Sequence, residues 1–249
     1  MLQKATLEAV EAGQFAVCYD CPPHSLGMST FRRLGMKENC LMQRYVRLIR
    51  TNRQFQKIFG DRASSRLLAA AGNVVLGLTS MRFHGTRGVD VSIHTGRFGD
   101  EFTRLDRDLA TAGWIRNRRW AEDLNWRFQD DPLNRYTTVT ARRNGELAGF
   151  AVFTVAGSDA RLIDISGTAE IFLPLLESVV HSARQAGSES LQAMVSDSNP
   201  LKHILKSLAF RFRSEHARVV AHCSAAPSSA QSVLENREKW ALTHADILA

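Results

Sequence analysis

The chain lacks most of the features that would place it at once. Four cysteines in 249 residues, Cys18, Cys21, Cys40 and Cys223, are too few for the disulfide framework of a small secreted fold. Cys18-Tyr-Asp-Cys21 is a single CxxC. A zinc ribbon needs a second pair, and none follows, although His24 is near. Cys18 therefore reads as a strand residue and Cys21 as a loop thiol, and no metal site is expected. No apolar run reaches the roughly 18 residues that cross a bilayer, and Met1 to Glu8 holds neither a signal core nor a cleavage site. A cytoplasmic protein with no membrane partner is expected. The sequence also lacks a GxSxG elbow, a P-loop, a GxGxxG turn and an HExxH helix.

What is present is ordinary globular material, 44% hydrophobic and 23% charged. The net charge of +7 is uneven. Residues 1–80 carry 11 Lys/Arg against 5 Asp/Glu; residues 81–249 carry 21 against 20. Arg44, Arg47, Arg50, Arg53, Lys57, Arg62 and Arg66 form a basic stripe. It lacks an interleaved aromatic pattern and any recognised nucleic-acid motif, so a solvated face is expected and nucleic acid is not an expected partner.

Periodicity and turn residues give the order of elements. Residues 2–12 read as a helix, Phe15–Tyr19 as a strand, and Leu26–Leu34 as a helix capped by Ser25. Leu41–Arg50 is ambiguous, with Tyr45-Val-Arg-Leu-Ile favouring strand. Residues 51–82 read as a helical connector, and Arg82–Gly88 as a loop and boundary. Beyond it, Val89–His94 is a strand, and Asp100–Ala112 and Arg116–Phe128 are helices. Tyr136–Arg142 and Leu147–Val155 form a hairpin across the type I′ turn signal Asn144-Gly145. Ala160–Ser166 is a strand, Ile171–Ala186 an amphipathic helix, Leu191–Val195 a strand, Pro200–Leu208 a helix, and Val219–Cys223 a last strand.

This order, with Trp126-Arg-Phe, Asp131-Pro132, Tyr136 and the run Ala141-Arg-Arg-Asn-Gly-Glu-Leu-Ala-Gly-Phe-Ala-Val, resembles the GNAT N-acyltransferases. So does the tail Trp240-Ala-Leu-Thr-His-Ala-Asp246, which reads equally well as a terminal strand anchored by its tryptophan. The resemblance implies an α/β (mixed α+β) fold with a mixed, mostly antiparallel sheet. It also implies transfer of an acyl group from acetyl-CoA or another acyl-CoA to an amine, on a small molecule or a saccharide or peptide precursor. A second stretch, Phe15–Tyr19, Pro22-Pro23-His-Ser25 and Thr30-Phe-Arg-Arg-Leu-Gly-Met36, is similar to the close of a GNAT domain. Val195, Asn199 and Ile204-Leu-Lys-Ser-Leu-Ala-Phe210 form the other copy. Residues 1–50 are thus expected to be a partial closing half, 51–88 a connector, and 89–249 a GNAT-like domain. A misplaced start, a deletion, or a homodimer in which a partner chain completes the N-terminal half would each explain the missing front.

By the resemblance, Ile165, Ser166, Gly167, Thr168 and Asn199 bind the CoA, the first four in the turn before the helix at Ile171. That turn keeps one glycine, and Glu170 would repel a pyrophosphate. The family's tyrosine falls at Phe31 and Leu205, which cannot donate a proton. Asp164, Glu170, His181 and His244 are candidate bases with no constellation around them. A non-catalytic GNAT-like binding or assembly module with a degenerate CoA site is the competing expectation.

Overall fold

Asn144-Gly145 fixes the register of everything around it. Both residues have positive φ, 53° and 83°, as a two-residue type I′ connection requires. In the computed structural model, which describes residues 16–21, 26–33, 36–50, 88–111, 113–222 and 228–247, this turn joins β4 (Tyr136–Arg143) to β5 (Glu146–Ala156). β3 (Val89–His94) pairs antiparallel with β4 along its whole length. β6 (Asp159–Gly167) returns antiparallel to β5.

From β6 the chain crosses through α4 (Ala169–Gln185) to β7 (Ser190–Ser196), and β6 and β7 pair in parallel. Parallel neighbours need such a crossover. The apolar stripe of α4, including Ile171, Leu175, Val179 and Ala183, packs on Val139, Ala151, Phe153 and Leu191 of the sheet. Against the opposite face lie α2 (Asp100–Ala110) and α3 (Ala121–Leu124), the latter continued by a π-turn over Asn125–Gln129. Phe102, Leu124 and Phe128 bury Phe150, Val152 and Ile163 there.

β1 (Ala16–Cys21) and β2 (Lys37–Leu48) belong to the same sheet, with α1 (Leu26–Arg33) between them in the chain. With β8 at Arg211–His222, the strand order is β1-β8-β2-β7-β6-β5-β4-β3. β2 lies between β7 and β8, antiparallel to both. β7 and β8, joined through α5 (Leu201–Ser207), therefore run parallel and one strand apart. The sheet thus runs across the division expected between residues 1–50 and 89–249, because β2 is what β7 and β8 both pair with. The expected helix at 2–12 and the connector at 51–82 lie outside the described residues.

Two elements differ from expectation. The helix read over Arg116–Phe128 begins only at Ala121. Residues before it are extended because Ile115 forms a bridge with Trp240 and the Asn117 N–H donates to Asp246 Oδ1 at 3.0 Å. The tail after α6 (Ser228–Glu235) is not a strand. It makes isolated bridges at Trp240 and Thr243 and two short 3-10 turns. Its tryptophan anchor is as expected: Trp240 is fully buried, and its indole N–H donates to the Leu234 carbonyl at 3.0 Å.

Gly149 is where β5 meets the start of α4. A Cβ there would stand 2.7 Å from Ile171 Cγ2 and 2.8 Å from the Ser166 carbonyl oxygen. Gly149→Ala should therefore cost about 1–3 kcal/mol in denaturant unfolding, by overpacking. An unchanged midpoint would show that α4 does not sit this close to β5.

Candidate functional site

β6 and β7 pair only from Asp159–Ser190 to Leu162–Ala193. Beyond that point the strands part, and β6 stays with β5 up to Gly167 while β7 stays with β2 up to Ser196. A fork in a parallel pair leaves two backbone edges without ladder partners, and buried edges must find others. The tail supplies them on the β7 side. Val195 bridges Thr243, the Ser196 N–H donates to the Leu242 carbonyl at 3.1 Å, and Asn199 Nδ2 donates to the same carbonyl at 3.0 Å.

On the β6 side the edge is closed by an ionic cluster. Asp164, at the fork, receives a bidentate pair from Arg119: Nε to Oδ2 at 3.1 Å and Nη2 to Oδ1 at 3.0 Å. The same Nη2 reaches Asp246 Oδ2 of the tail at 2.8 Å, and Nη1 donates to the Asn117 carbonyl. The Thr243 hydroxyl donates to Asp164 Oδ1 at 2.8 Å, and the Ile165 N–H donates to that oxygen at 2.9 Å. All three charged side chains are at least 96% buried. Burial pushes the Asp164 carboxyl up. The Arg119 guanidinium, the Thr243 hydroxyl and the Ile165 N–H overcome that and hold it below the usual carboxylate range. The two carboxylates raise Arg119 in turn, against its burial.

Above this cluster a cavity of about 380 Å3 opens, lined by Ile165, Ser166, Gly167, Thr168 and Asn199 among others. Its floor ends at the first turn of α4. No side chain caps that turn, and first-turn N–H groups have no partners inside their helix. Trp114, Phe172 and Arg116 close the sides. Arg116 is in ionic contact with Asp106 at 2.6 Å, though its N–H is not aligned for a hydrogen bond.

Neither a protein-family model nor a curated protein sequence matches the chain. Solved structures do. A GCN5-related N-acetyltransferase from Anabaena variabilis superposes with a TM-score of 0.58 at 13% identity, over 88% of this chain and 48% of that one. Another from Sphaerobacter thermophilus gives 0.51 at 8%, over 84% and 59%. A conserved protein of unknown function from Enterococcus faecalis gives 0.53 at 10%, over 88% and 48%. The chain has the GNAT fold. It spans about half the length of the Anabaena and Enterococcus structures it matches.

Within this GNAT fold the five residues expected to bind CoA come together on one cavity. Asn199 does so while holding the tail: its Oδ1 also accepts from the Leu201 N–H at 2.9 Å. The candidate bases are scattered. Asp164 is locked in the ion cluster and cannot serve as a base. Glu170 points outward, 71% exposed, and meets Arg143 at 3.0 Å. It does not line the cavity, so the repulsion expected from it is turned away from the pocket. His181 is exposed on α4. His244 lines a different cavity, one residue beyond Thr243. Phe31 and Leu205 are buried core residues.

Cys40 is buried, and burial pushes its thiol up. Among the described residues no group of three or more His, Cys, Asp or Glu is placed to hold a metal ion, and no helix is long and apolar enough to cross a membrane. The basic stripe is not one face: Arg47 is buried, Arg50 donates to the Arg184 carbonyl, and Arg44 lines the cavity that holds His244. The rest of the stripe lies outside the described residues. Sequence reasoning missed Arg119 and Thr243, whose partners are 45 to 127 residues away.

Asp164 makes stability depend on pH with a definite sign. Its folded pKa lies below the unfolded value of about 3.9. Its contribution is therefore full above that value and is lost as pH falls through it toward the folded pKa. Asp164→Asn should flatten the acid limb of the stability profile below about pH 4. Arg119→Met, which strands two buried carboxylates, should cost about 3–5 kcal/mol at pH 7. Parallel acid limbs for wild type and Asp164→Asn in urea titrations would remove the cluster from this role.

Proposed function

We propose that the chain is an acyl-CoA-dependent N-acyltransferase that binds the donor in the cavity at the β6–β7 fork. The observation that supports this reading is the coincidence of the fork, the cavity and an uncapped helix start. The first turn of α4 offers N–H groups and the positive end of the helix to a pyrophosphate. The slot lined by Ile165, Ser166 and Phe172 takes the uncharged arm. The acceptor amine attacks the thioester carbonyl directly; a C–N bond forms, the C–S bond breaks, and the sulfur keeps the electron pair. His244, on the far side of Thr243, is the expected base best placed to take the amine proton. The Phe31 and Leu205 positions supply no acid, so the thiolate takes its proton from solvent.

A second reading, a binding module without catalysis, is supported by the tail that lies in the fork. The Ile165 N–H, which would otherwise polarise a carbonyl, is bonded to Asp164.

Thr168→Asp separates ligand binding from folding. Thr168 is the exposed residue preceding α4. Aspartate is a good N-cap and favours the helix dipole, but it repels a bound phosphate. Wild type should bind acetyl-CoA in titration calorimetry. Thr168→Asp should bind at least about tenfold more weakly with an undiminished melting temperature. Unaltered affinity in Thr168→Asp would remove the site from α4. No heat with acetyl-CoA or longer acyl-CoAs would favour the binding module.

A further inference from the structure

A second cavity of about 350 Å3 lies on the face of the sheet opposite α4. Its lining is drawn from β2, β6, β7 and β8, and from the turn at His244. Four of its residues are basic: Arg44, Arg161, His216 and His244. No aspartate or glutamate lines it.

Several arginines elsewhere in this fold meet carboxylates, as Arg97 meets Asp130, Arg118 meets Asp123 and Arg142 meets Glu101, and others, such as Arg50 and Arg127, meet backbone carbonyls. Arg44 and Arg161 make no ion pair among the described residues. Arg44 Nε is buried with no hydrogen-bond partner. A buried N–H of that kind carries a standing cost unless a water or a ligand meets it.

The sheet aims these groups together. Arg44 stands opposite Met194 and Arg161 opposite Gln192, so the two flank β7 from either side. Strands two apart are separated by roughly 10 Å, a distance that two arginine side chains can close on one anion. His216 is the extra residue of a β-bulge, between the Gln43–Glu215 and Met42–Ala217 pairs. Bulges re-aim side chains, and they recur beside functional sites.

We infer that this cavity seats the acceptor by an anionic group, a carboxylate or a phosphate, gripped by Arg44 and Arg161. The inference rests on the acyl-transfer reading. It narrows the acceptor to amines that carry a negative charge. The anion is held on one side of the fork and the acyl donor on the other, with Thr243 and His244 between them. Guanidinium groups match both oxyanions through paired N–H donors.

The test uses matched probes on the full chain at low ionic strength, without acyl-CoA: glucosamine 6-phosphate against glucosamine, and glycine against glycinamide. In calorimetry the charged member of at least one pair should bind about tenfold or more tightly than its neutral partner. The pair that discriminates identifies phosphate or carboxylate. Arg44→Gln and the exposed Arg161→Gln should each erase that difference and leave the neutral probe unchanged. Arg161→Gln, at an exposed position, guards against misfolding of the half-buried Arg44→Gln, and both are checked by thermal unfolding. Equal binding of charged and neutral probes, no binding at all, or full discrimination in both variants would overturn the inference. Acetyl-CoA is titrated into the same proteins. Acetyl-CoA binding without anion discrimination removes the acceptor assignment alone. Anion discrimination without acetyl-CoA binding removes the acyl-transfer reading and leaves an anion site.

Discussion

One arginine holds the centre of this structure together. Arg119 comes from the extended approach to α3, Asp164 from β6 at the point where it leaves β7, and Asp246 from the tail. Each of these segments carries backbone groups that no ladder satisfies. A buried ion cluster is seldom a net source of stability, because desolvation offsets most of the attraction. What it supplies here is placement. The planar guanidinium satisfies Asp164 with two parallel N–H donors and reaches Asp246 and the Asn117 carbonyl with the rest. The three segments meet in one arrangement, and the shape of the cavity above follows from it.

The same cluster sets the limits on chemistry. It removes Asp164 from the set of bases and occupies the Ile165 N–H. It also draws Thr243 toward Asp164, and with Thr243 the turn that carries His244. The fork is thus bounded by a cavity ending at a bare helix start and, across Thr243 and His244, by a basic one. A donor with a polyanionic end and an acceptor with an anionic end would each meet a positive local field at its own site, without competing for the same cations.

Much of the fold was legible because its signals are local. Asn144-Gly145 dictates its hairpin, and the apolar stripe from Ile171 to Ala183 dictates a helix that lies on a sheet. The run from Ile165 to Thr168 could be placed on a cavity because a turn between a strand and a helix has one place to be. The topology around β2 was not legible. Tyr45-Val-Arg-Leu-Ile reads as strand, but nothing local says that it pairs with segments about 150 and 170 residues later. The start of α3 was misread for the same reason, since Arg116 to Trp120 has helical composition and is held extended by contacts with the tail. Arg119 looked like one of several arginines in Arg116-Asn-Arg-Arg. Its importance comes from burial, which the spacing of charges along a chain does not encode.

On the proposed function, the turn from Ser166 to Ile171 is the floor of an acyl-donor site above a fork already sealed by the tail. Hydrogen exchange measured with and without saturating acetyl-CoA tests it most directly. Amides of 166–171 should gain protection on binding, while those of 242–246 are protected in both states. No gain at 166–171, or exchange at 242–246 as fast as in an unstructured peptide, would contradict it.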